Sequence, residues 1–533
     1  MPDDAPERAV PLPDSATASA LADRFGIEFR DAIEPQQLDP ALVARLPIQY
    51  ARRAACLPLR EREDGAIEIA LADPRAAQVM DDLRALFRRR VVPVVVPGSS
   101  ILDSINRAYD DAQGTAEAVM GDIEEGGLDE VAHELEEPRD LLDADDEAPI
   151  IRLVNSLLFQ AVKDRASDIH VEPFERDVMV RFRIDGILYD VLKPPRRYHP
   201  TIIARIKIMA GLDIAEKRLP QDGRLRFRVA GRDIDVRVSI VPTQFGERAV
   251  LRLLDRTGAL LSLEDLGLLG DNLNDLERLV DRSHGILLVT GPTGSGKTTT
   301  LYAALARLNS SSRNIITIED PIEYQLHGVG QIQVNPKIDL TFASGLRSIL
   351  RQDPDVIMVG EIRDPETAEI AIQAALTGHL VFSTLHTNDS FGALSRLVDM
   401  GIEPFLVSSS LNGVMAQRLV RRVCPTCREP DISTAETEHE LGIAAGTSIY
   451  REGPGCDDCK GTAYRGRGGI HELLPVDDEV RSLVMQRSDA AAIRRLATSR
   501  GMKTLRDDGA AKVVDGTTTV AEILRVTQED VVV

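Results

Sequence analysis

The chain holds 533 residues, too many for one hydrophobic core, so three or four domains are expected. It carries 63 Lys/Arg against 85 Asp/Glu, a formal charge of −22, with no Trp and only 4% aromatic residues. This argues against a broad basic, base-stacking surface for nucleic acid, and no apolar run reaches the roughly 18–20 residues that span a bilayer. Met1 to Asp14 has Pro and Asp where a signal peptide has a basic and then an apolar stretch. The expected location is the cytoplasm.

Residues 1–15, rich in Pro, Asp and Ala, read as disordered. Helical periodicity follows at Thr17–Phe25, Pro40–Ala55, Asp81–Phe87 and Ile101–Tyr109. Strand patterns appear at Leu57–Arg60, Ile67–Ala72 and Val91–Val96. Together they predict a small α/β domain over 1–110, with the isolated Cys56 in its core. Between Asp110 and Glu147, 16 Asp/Glu face one basic residue, Arg139, for a net of −15. Residues 111–147 therefore read as an acidic flexible linker.

From Ala148 the pattern changes. An amphipathic helix is predicted at Pro149–Lys163 and another helix at Tyr198–Ala210. Strands are predicted at Ser167–Glu172, Val178–Ile184, Arg224–Val229, Ile234–Ile240 and Arg248–Leu254. They suggest an α+β domain with an antiparallel sheet over 148–256. Arg237 and Arg252 lie on these strands among apolar residues. Composition alone pairs each with a neighbouring carboxylate.

Beyond 257, strands and helices alternate, which implies a mainly parallel sheet. The apolar run Gly285–Thr290 leads into Gly291-Pro292-Thr293-Gly294-Ser295-Gly296-Lys297-Thr298, and Thr299–Leu305 reads as helix. Strand, glycine loop and helix in this order form a phosphate-binding loop. Glycines let several backbone N–H groups point at one anion, and the helix adds its positive end. Lys297 would reach the β/γ-phosphates of ATP, and the Thr298 hydroxyl would take a place on Mg²⁺.

Three later segments put polar groups at strand ends, where α/β sheets bind ligands. Ile315–Ile318 runs into Glu319, Asp320 and Glu323. Val356–Val359 runs into Gly360-Glu361-Ile362-Arg363-Asp364, a Walker B pattern with Gly360 where Asp is usual. Glu361 is then the acid placed to orient or deprotonate water. Val381–Leu385 runs into His386-Thr387-Asn388-Asp389. His386 reads either as a structural histidine or as a γ-phosphate sensor or link between sites. Arg347, Arg351 and Arg363, with Arg237 and Arg252, are the candidate stabilisers of phosphoryl charge.

Cys424-x2-Cys427 and Cys456-x2-Cys459 are separated by 28 residues and surrounded by loop residues. In a cytoplasmic chain this spacing predicts a closed, structural Zn²⁺ site. Helices are expected at Asp478–Arg487, Asp489–Ser499, Met502–Asp515 and Thr519–Thr527.

These segments together resemble the secretion ATPase superfamily of type II secretion and type IV pilus assembly. The Walker A box lies at 291–298, the Asp box at Thr317–Glu323, the Walker B box at Ile357–Asp364 and the His box at Ser383–Asp389. The phrases Lys217–Arg224, Arg351–Asp355, Ala416–Arg421 and Gly469–Leu474 also match, so the resemblance covers about 149 to 530. It is strongest to the E-type ATPase of the general secretory pathway.

The resemblance implies an α/β multidomain chain. A RecA-like P-loop domain would span 257–423, a zinc subdomain 424–468 and a C-terminal helical region 469–533. It implies ATP hydrolysis in a homo-hexamer, with nucleotide held between the second N-terminal domain and the RecA-like domain. Arg237 and Arg252 match the family's N-terminal-domain arginines near the phosphates, and Arg347, Arg351 and Arg363 match those of its RecA domain. Gly360 is the family's own departure from other P-loop enzymes. The first domain would dock on the cytoplasmic part of an inner-membrane platform protein, which would attach the chain peripherally. Related pilus ATPases carry a cyclic-di-GMP module there with an Arg-Leu-Gly opening; here Asp23-Arg24-Phe25-Gly26 stands instead, which favours partner docking. The expected work is type II secretion through pseudopilus assembly. Pilus extension is the alternative, with a DNA-uptake motor behind it.

Overall fold

A computed structural model describes residues 15–34, 38–43, 45–46, 50–51, 54–62, 64–75, 77–101, 104–105, 149–229, 232–255 and 261–527. The expected disorder of 1–15 (Ser15 apart) and the acidic linker fall outside these residues, as does most of the predicted Ile101–Tyr109 helix. The chain forms two compact units, Met1–Thr257 and Gly258–Val533.

The first unit contains two sheets. The smaller has strands β1 (Glu28–Phe29), β2 (Cys56–Glu61), β3 (Ile67–Leu71) and β4 (Val91–Val95) in the order β1-β4-β3-β2. β4 pairs in parallel with β1 and β3, and β2 is antiparallel to β3. Helices Ser15–Phe25 and Ala77–Phe87 accompany it. The predicted Pro40–Ala55 helix is interrupted: its first segment ends at Val43, and Ala55, at φ 44°, turns the chain into β2. Cys56 is fully buried, as expected.

The larger sheet is antiparallel throughout. Its strands are β5 (Ala166–Pro173), β6 (Val178–Ile184), β7 (Ile187–Leu192), β8 (Gln221–Val229), β9 (Arg232–Thr243) and β10 (Gly246–Asp255), ordered β7-β6-β5-β10-β9-β8. Helices Pro149–Lys163 and His199–Met209 pack on each other, and their apolar residues join the strands' in one core. Strand β7 escaped the sequence reading. Its signal was Asp185-Gly186, both at positive φ (48° and 89°), a dipeptide suited to a tight hairpin.

The second unit is built on a seven-stranded sheet. Its strands are β11 (Gly285–Thr290), β12 (Ile315–Glu319), β13 (Gly330–Gln333), β14 (Val356–Val359), β15 (Leu380–Leu385), β16 (Leu411–Val423) and β19 (Tyr464–Pro475). The order is β13-β12-β14-β15-β11-β16-β19, parallel except for the β16–β19 pair. Strands β11, β12, β14 and β15 are buried at every position. A parallel sheet covered on both faces requires that near-continuous apolar pattern.

Helices Gly270–Val280 and Lys297–Leu308 cover one face. Helices Phe342–Ile349, Pro365–Leu376, Ser390–Asp399 and Pro404–Ser410 cover the other, together with Asp478–Met485 and Ala490–Ser499. The hairpin of β17 (Glu429–Ile432) and β18 (Ser448–Arg451) forms a separate small sheet. The C-terminal helices end with Leu505–Val514 and Val520–Thr527, within one or two residues of expectation at most ends.

Candidate active site and cysteine cluster

The phosphate-binding loop leaves the sheet at the carboxyl end of β11. Gly291 adopts φ +146°, and a Cβ there would lie 2.4 Å from the Gln417 carbonyl oxygen. Gly294 and Gly296 are left-handed at φ 81° and 87°, and Gly296 caps the helix Lys297–Leu308. Lys297 Nζ arches back and donates to the carbonyls of Gly291 at 2.8 Å and Pro292 at 3.1 Å. Burial pushes this ammonium down to about 8; Glu361 opposes the shift and Arg418 adds to it. Thr298 is half-buried at the start of the helix.

Glu361 follows β14. It accepts a hydrogen bond from Arg363 on Oε1, and its Oε2 lies 3.2 Å from His386 Nε2. Partial burial raises its carboxyl, but Arg363 and then His386 outweigh that and hold it below the usual carboxylate range. Gly360 is where the backbones crowd: its N–H donates to Ile318 O at 2.8 Å, and a Cβ would lie 3.3 Å from that oxygen. The absent Walker B aspartate thus has a steric counterpart.

The structure therefore brings Lys297, Glu361, Arg363 and His386 to one end of the sheet, with Asp320 near enough to favour the charged form of Arg363. Arg347 pairs with Glu366 at 2.5 Å, and Arg351 donates to Arg347 O at 2.9 Å and Ser348 Oγ at 3.2 Å. Both are exposed, Arg351 engaged within its own segment and Arg347 with the following helix. Glu323 is half-buried beyond β12.

Glu319 needs a correction. The sequence reading places it with the nucleotide ligands, but its side chain is 2% exposed. Its oxygens accept from Tyr302 OH, from Thr317 Oγ1 at 2.5 Å and from Gln331 Nε2 at 3.1 Å. Alternation along β12 turns Thr317 and Glu319 toward the P-loop helix, so the carboxylate braces Tyr302 inside the layer. Asp320, the next residue, is exposed.

Sequence reasoning missed the residues that hold this site. The Thr290 hydroxyl donates to Leu385 O at 3.1 Å and accepts from Thr387 N at 2.9 Å. Thr384 Oγ1 donates to Gly360 O at 2.7 Å. Gln417 accepts from Thr300 Oγ1 at 2.7 Å. The available signal was polar residues inside strands otherwise buried.

In the first unit, cross-strand register aligns Arg183, Asp168, Arg252, Arg237 and Arg224 on five adjacent strands. Directly opposed residues of antiparallel strands share a face. Arg252 Nε donates to Asp168 Oδ1 at 2.9 Å, and Arg183 lies 3.8 Å from Asp168 Oδ2.

The four cysteines converge. Sγ–Sγ distances are 3.7 Å for Cys424–Cys456 and Cys456–Cys459 and 3.8 Å for Cys427–Cys459, with all four within 4.8 Å. A tetrahedron with Zn–S bonds of about 2.3 Å has edges of about 3.8 Å, so the set fits Zn²⁺. Gly453 permits the approach: a Cβ there would lie 1.6 Å from Cys427 O. Among the described residues no helix is long and apolar enough to cross a membrane.

Comparison with known proteins agrees with this geometry. The Type II/IV secretion system protein family matches residues 143–525, and the MshEN domain matches residues 25–115. Type II secretion system protein E of Dickeya dadantii is 52% identical over 500 residues, covering 92% of this chain and 98% of that protein. Type II secretion system ATPase E of Vibrio cholerae is 47% identical over 491 residues, covering 91% and 97%. The pilus assembly ATPase PilB of Myxococcus xanthus is 43% identical over 524 residues, covering 97% and 92%. The DotB ATPase of Yersinia pseudotuberculosis shares the fold, with a TM-score of 0.53 at 22% identity over 71% of this chain and 93% of that one. The chain belongs to the Type II/IV secretion system protein family, as an ATP-hydrolysing E-type ATPase of type II secretion.

Proposed function

We propose that this chain works as a homo-hexameric ring whose ATP turnover drives pseudopilus assembly for protein export. The observation that carries the reading is the convergence of Lys297, Glu361, Arg363 and His386 at the carboxyl ends of β11, β14 and β15. Lys297 and the backbone N–H groups of Thr293 to Thr298 take the phosphates. Thr298 would hold Mg²⁺, which neutralises phosphate charge when bound. Glu361 orients and deprotonates the attacking water, and His386 reports on the γ-phosphate from beside it. Asp320 and Glu323 border the nucleotide.

Arg237 and Arg252 add phosphoryl-charge stabilisation when the 148–256 domain closes on the 257–423 ATPase domain, and Arg347 and Arg351 do so from the RecA side. The 424–468 segment is a Zn²⁺-stabilised subdomain and 469–533 a helical region. Residues 1–110 dock on the cytoplasmic part of an inner-membrane platform protein, separated by the acidic 111–147 spacer, and this attaches the chain peripherally. A pilus-extension role is the second reading, favoured by the 43% identity to PilB; pilin rather than pseudopilin genes beside this one would select it.

The test is ATPase activity of the full chain with and without a ring-forming fusion, alongside Glu361→Gln and Arg252→Ala. Activity that rises on assembly and falls in both variants supports the ring motor. Turnover that stays absent in the ring, or survives Glu361→Gln, sinks the catalytic assignment.

A further inference from the structure

Strand β19 carries Glu472 at 1% exposure. One carboxylate oxygen, Oε1, accepts from Ser390 N at 2.9 Å and from Ser390 Oγ at 2.6 Å. Ser390 is the first residue of the helix that follows His386. A carboxylate at that point also suits the positive end of the helix. Burial pushes the Glu472 carboxyl up, and the two Ser390 bonds pull against it.

The segment 386–389 is thus tied at both ends. Thr290, the last residue of β11, holds Leu385 and Thr387 on the upstream side. On the downstream side Asp389 caps the helix through Gly392 N at 2.7 Å, and Thr387 Oγ1 donates to Asp389 O at 3.0 Å. Arg494 adds a looser brace, 3.9 Å from Asp389 and 5.6 Å from the Phe391 ring centre. Of these ties, Glu472 alone reaches the helix from β19, a strand paired with β16, whose Gln417 holds the P-loop helix.

We infer that Glu472 is a positioning residue of the ATPase site, fixing Ser390 and thereby holding the His386 imidazole beside Glu361. This rests on the reading of His386 and Glu361 as groups at the reacting phosphate. Without the carboxylate, the Ser390 N–H and hydroxyl lose their buried acceptor. The helix start then relaxes, and of the downstream ties named above the Asp389 cap, the Thr387–Asp389 bond and the looser Arg494 brace remain. Small displacements of this kind cost rate rather than fold. A cavity of about 270 Å³ lined by Glu472, Arg494, Thr504, Leu505 and Arg506 already lies behind the side chain, so shortening it enlarges an existing space.

The test uses the full chain in assembled form, with Glu472→Ala, Glu472→Gln, Ser390→Ala and His386→Ala. Glu472→Gln keeps the acceptor and drops the charge. The expected result is a kcat roughly tenfold lower in Glu472→Ala, with KM for ATP within about twofold. The His386 ring nitrogen resonances, assigned by their loss in His386→Ala, move in Glu472→Ala and stay in place in Glu472→Gln, which keeps kcat within about threefold. Ser390→Ala falls between, and decides the matter if Glu472→Ala fails to fold.

Wild-type kcat or unmoved His386 resonances in folded Glu472→Ala overturn the inference. So does a Glu472→Gln as impaired as the alanine variant, or, where Glu472→Ala does not fold, a Ser390→Ala with wild-type kcat and resonances. Undiminished turnover in His386→Ala overturns the catalytic reading beneath it instead.

Discussion

Arg252 and Arg237 stand directly opposite each other on neighbouring antiparallel strands, with Arg224 opposite Arg237 on its other side. Like charges so placed repel. One carboxylate, Asp168, shares the row and is bonded to Arg252. Such a row is suited to a multiply charged anion. Replacing Arg237 with Ala should therefore lower kcat about tenfold or more while leaving the chain folded. Thermal melts and steady-state phosphate release on the same sample check this. A variant that loses stability and keeps its kcat would return Arg237 to an ordinary structural role.

Glu361 is the acid beside Lys297, Arg363 and His386. Glu361→Gln keeps its shape and its contact with His386 but cannot accept a proton. Turnover is expected to fall about 10²–10⁴-fold, with ATP affinity within a few-fold of wild type. Equilibrium binding beside phosphate release separates the two quantities. Activity within threefold would move the base to Asp320 or Glu323.

Arg363 is the main reason the Glu361 carboxyl stays below its ordinary range. A carboxylate held low remains ionised as pH falls, so its contribution to stability is present above the ordinary value and lost only as pH drops through the lowered one. The acid limb of kcat/KM inherits the same position. Arg363→Ala should shift that limb to higher pH without moving the alkaline limb. An unmoved acid limb would assign it to another group.

The legible parts of this molecule were those with strong local patterns. Strands β11, β12, β14 and β15 are buried at every residue, and their apolar runs announced themselves. Glu361 and His386 stood out because each ends such a run. Glu319 ends one too, yet its side chain points into the helix layer toward Tyr302, and a list of acids after a strand does not encode which face each takes. Glu472 lies in the matched phrase Gly469–Leu474, but its partner was illegible for a different reason. The glutamate sits 82 residues beyond Ser390, and only sheet order brings β19 to that helix. The arginine row was likewise hidden, because register across five strands is a tertiary property.

Removal of zinc should act locally first. Once the metal leaves, the four sulfurs take up protons and lose their common partner, and Cys456 N–H, which donates to Cys459 Sγ at 3.1 Å, is a weak substitute. The purified chain is expected to hold one zinc per subunit. A strong chelator should make 424–463 sensitive to protease while β11 to β15 keep their protection. Gly453→Ala should mimic this, since its Cβ would fall 1.6 Å from Cys427 O. Zinc content well below one per subunit in freshly purified protein would remove the metal from this site.

Lys297 offers a proton-counting test of nucleotide binding. Its ammonium is lowered from 10.5 to about 8 by burial. Below that value both folded and unfolded chains hold the proton. Between about 8 and 10.5 the unfolded chain holds more of it, so this group makes stability rise with pH across that window. A bound phosphate reverses the preference, because it favours the charged ammonium. Nucleotide binding at pH 8 should then take up about half a proton, well above the phosphate's own titration near pH 6. Calorimetric titration in two buffers of different ionisation enthalpy reads that number directly. Lys297→Arg, charged throughout, should bind with no such uptake. Equal heats in both buffers for the wild-type chain would mean that Lys297 is fully protonated before the nucleotide arrives.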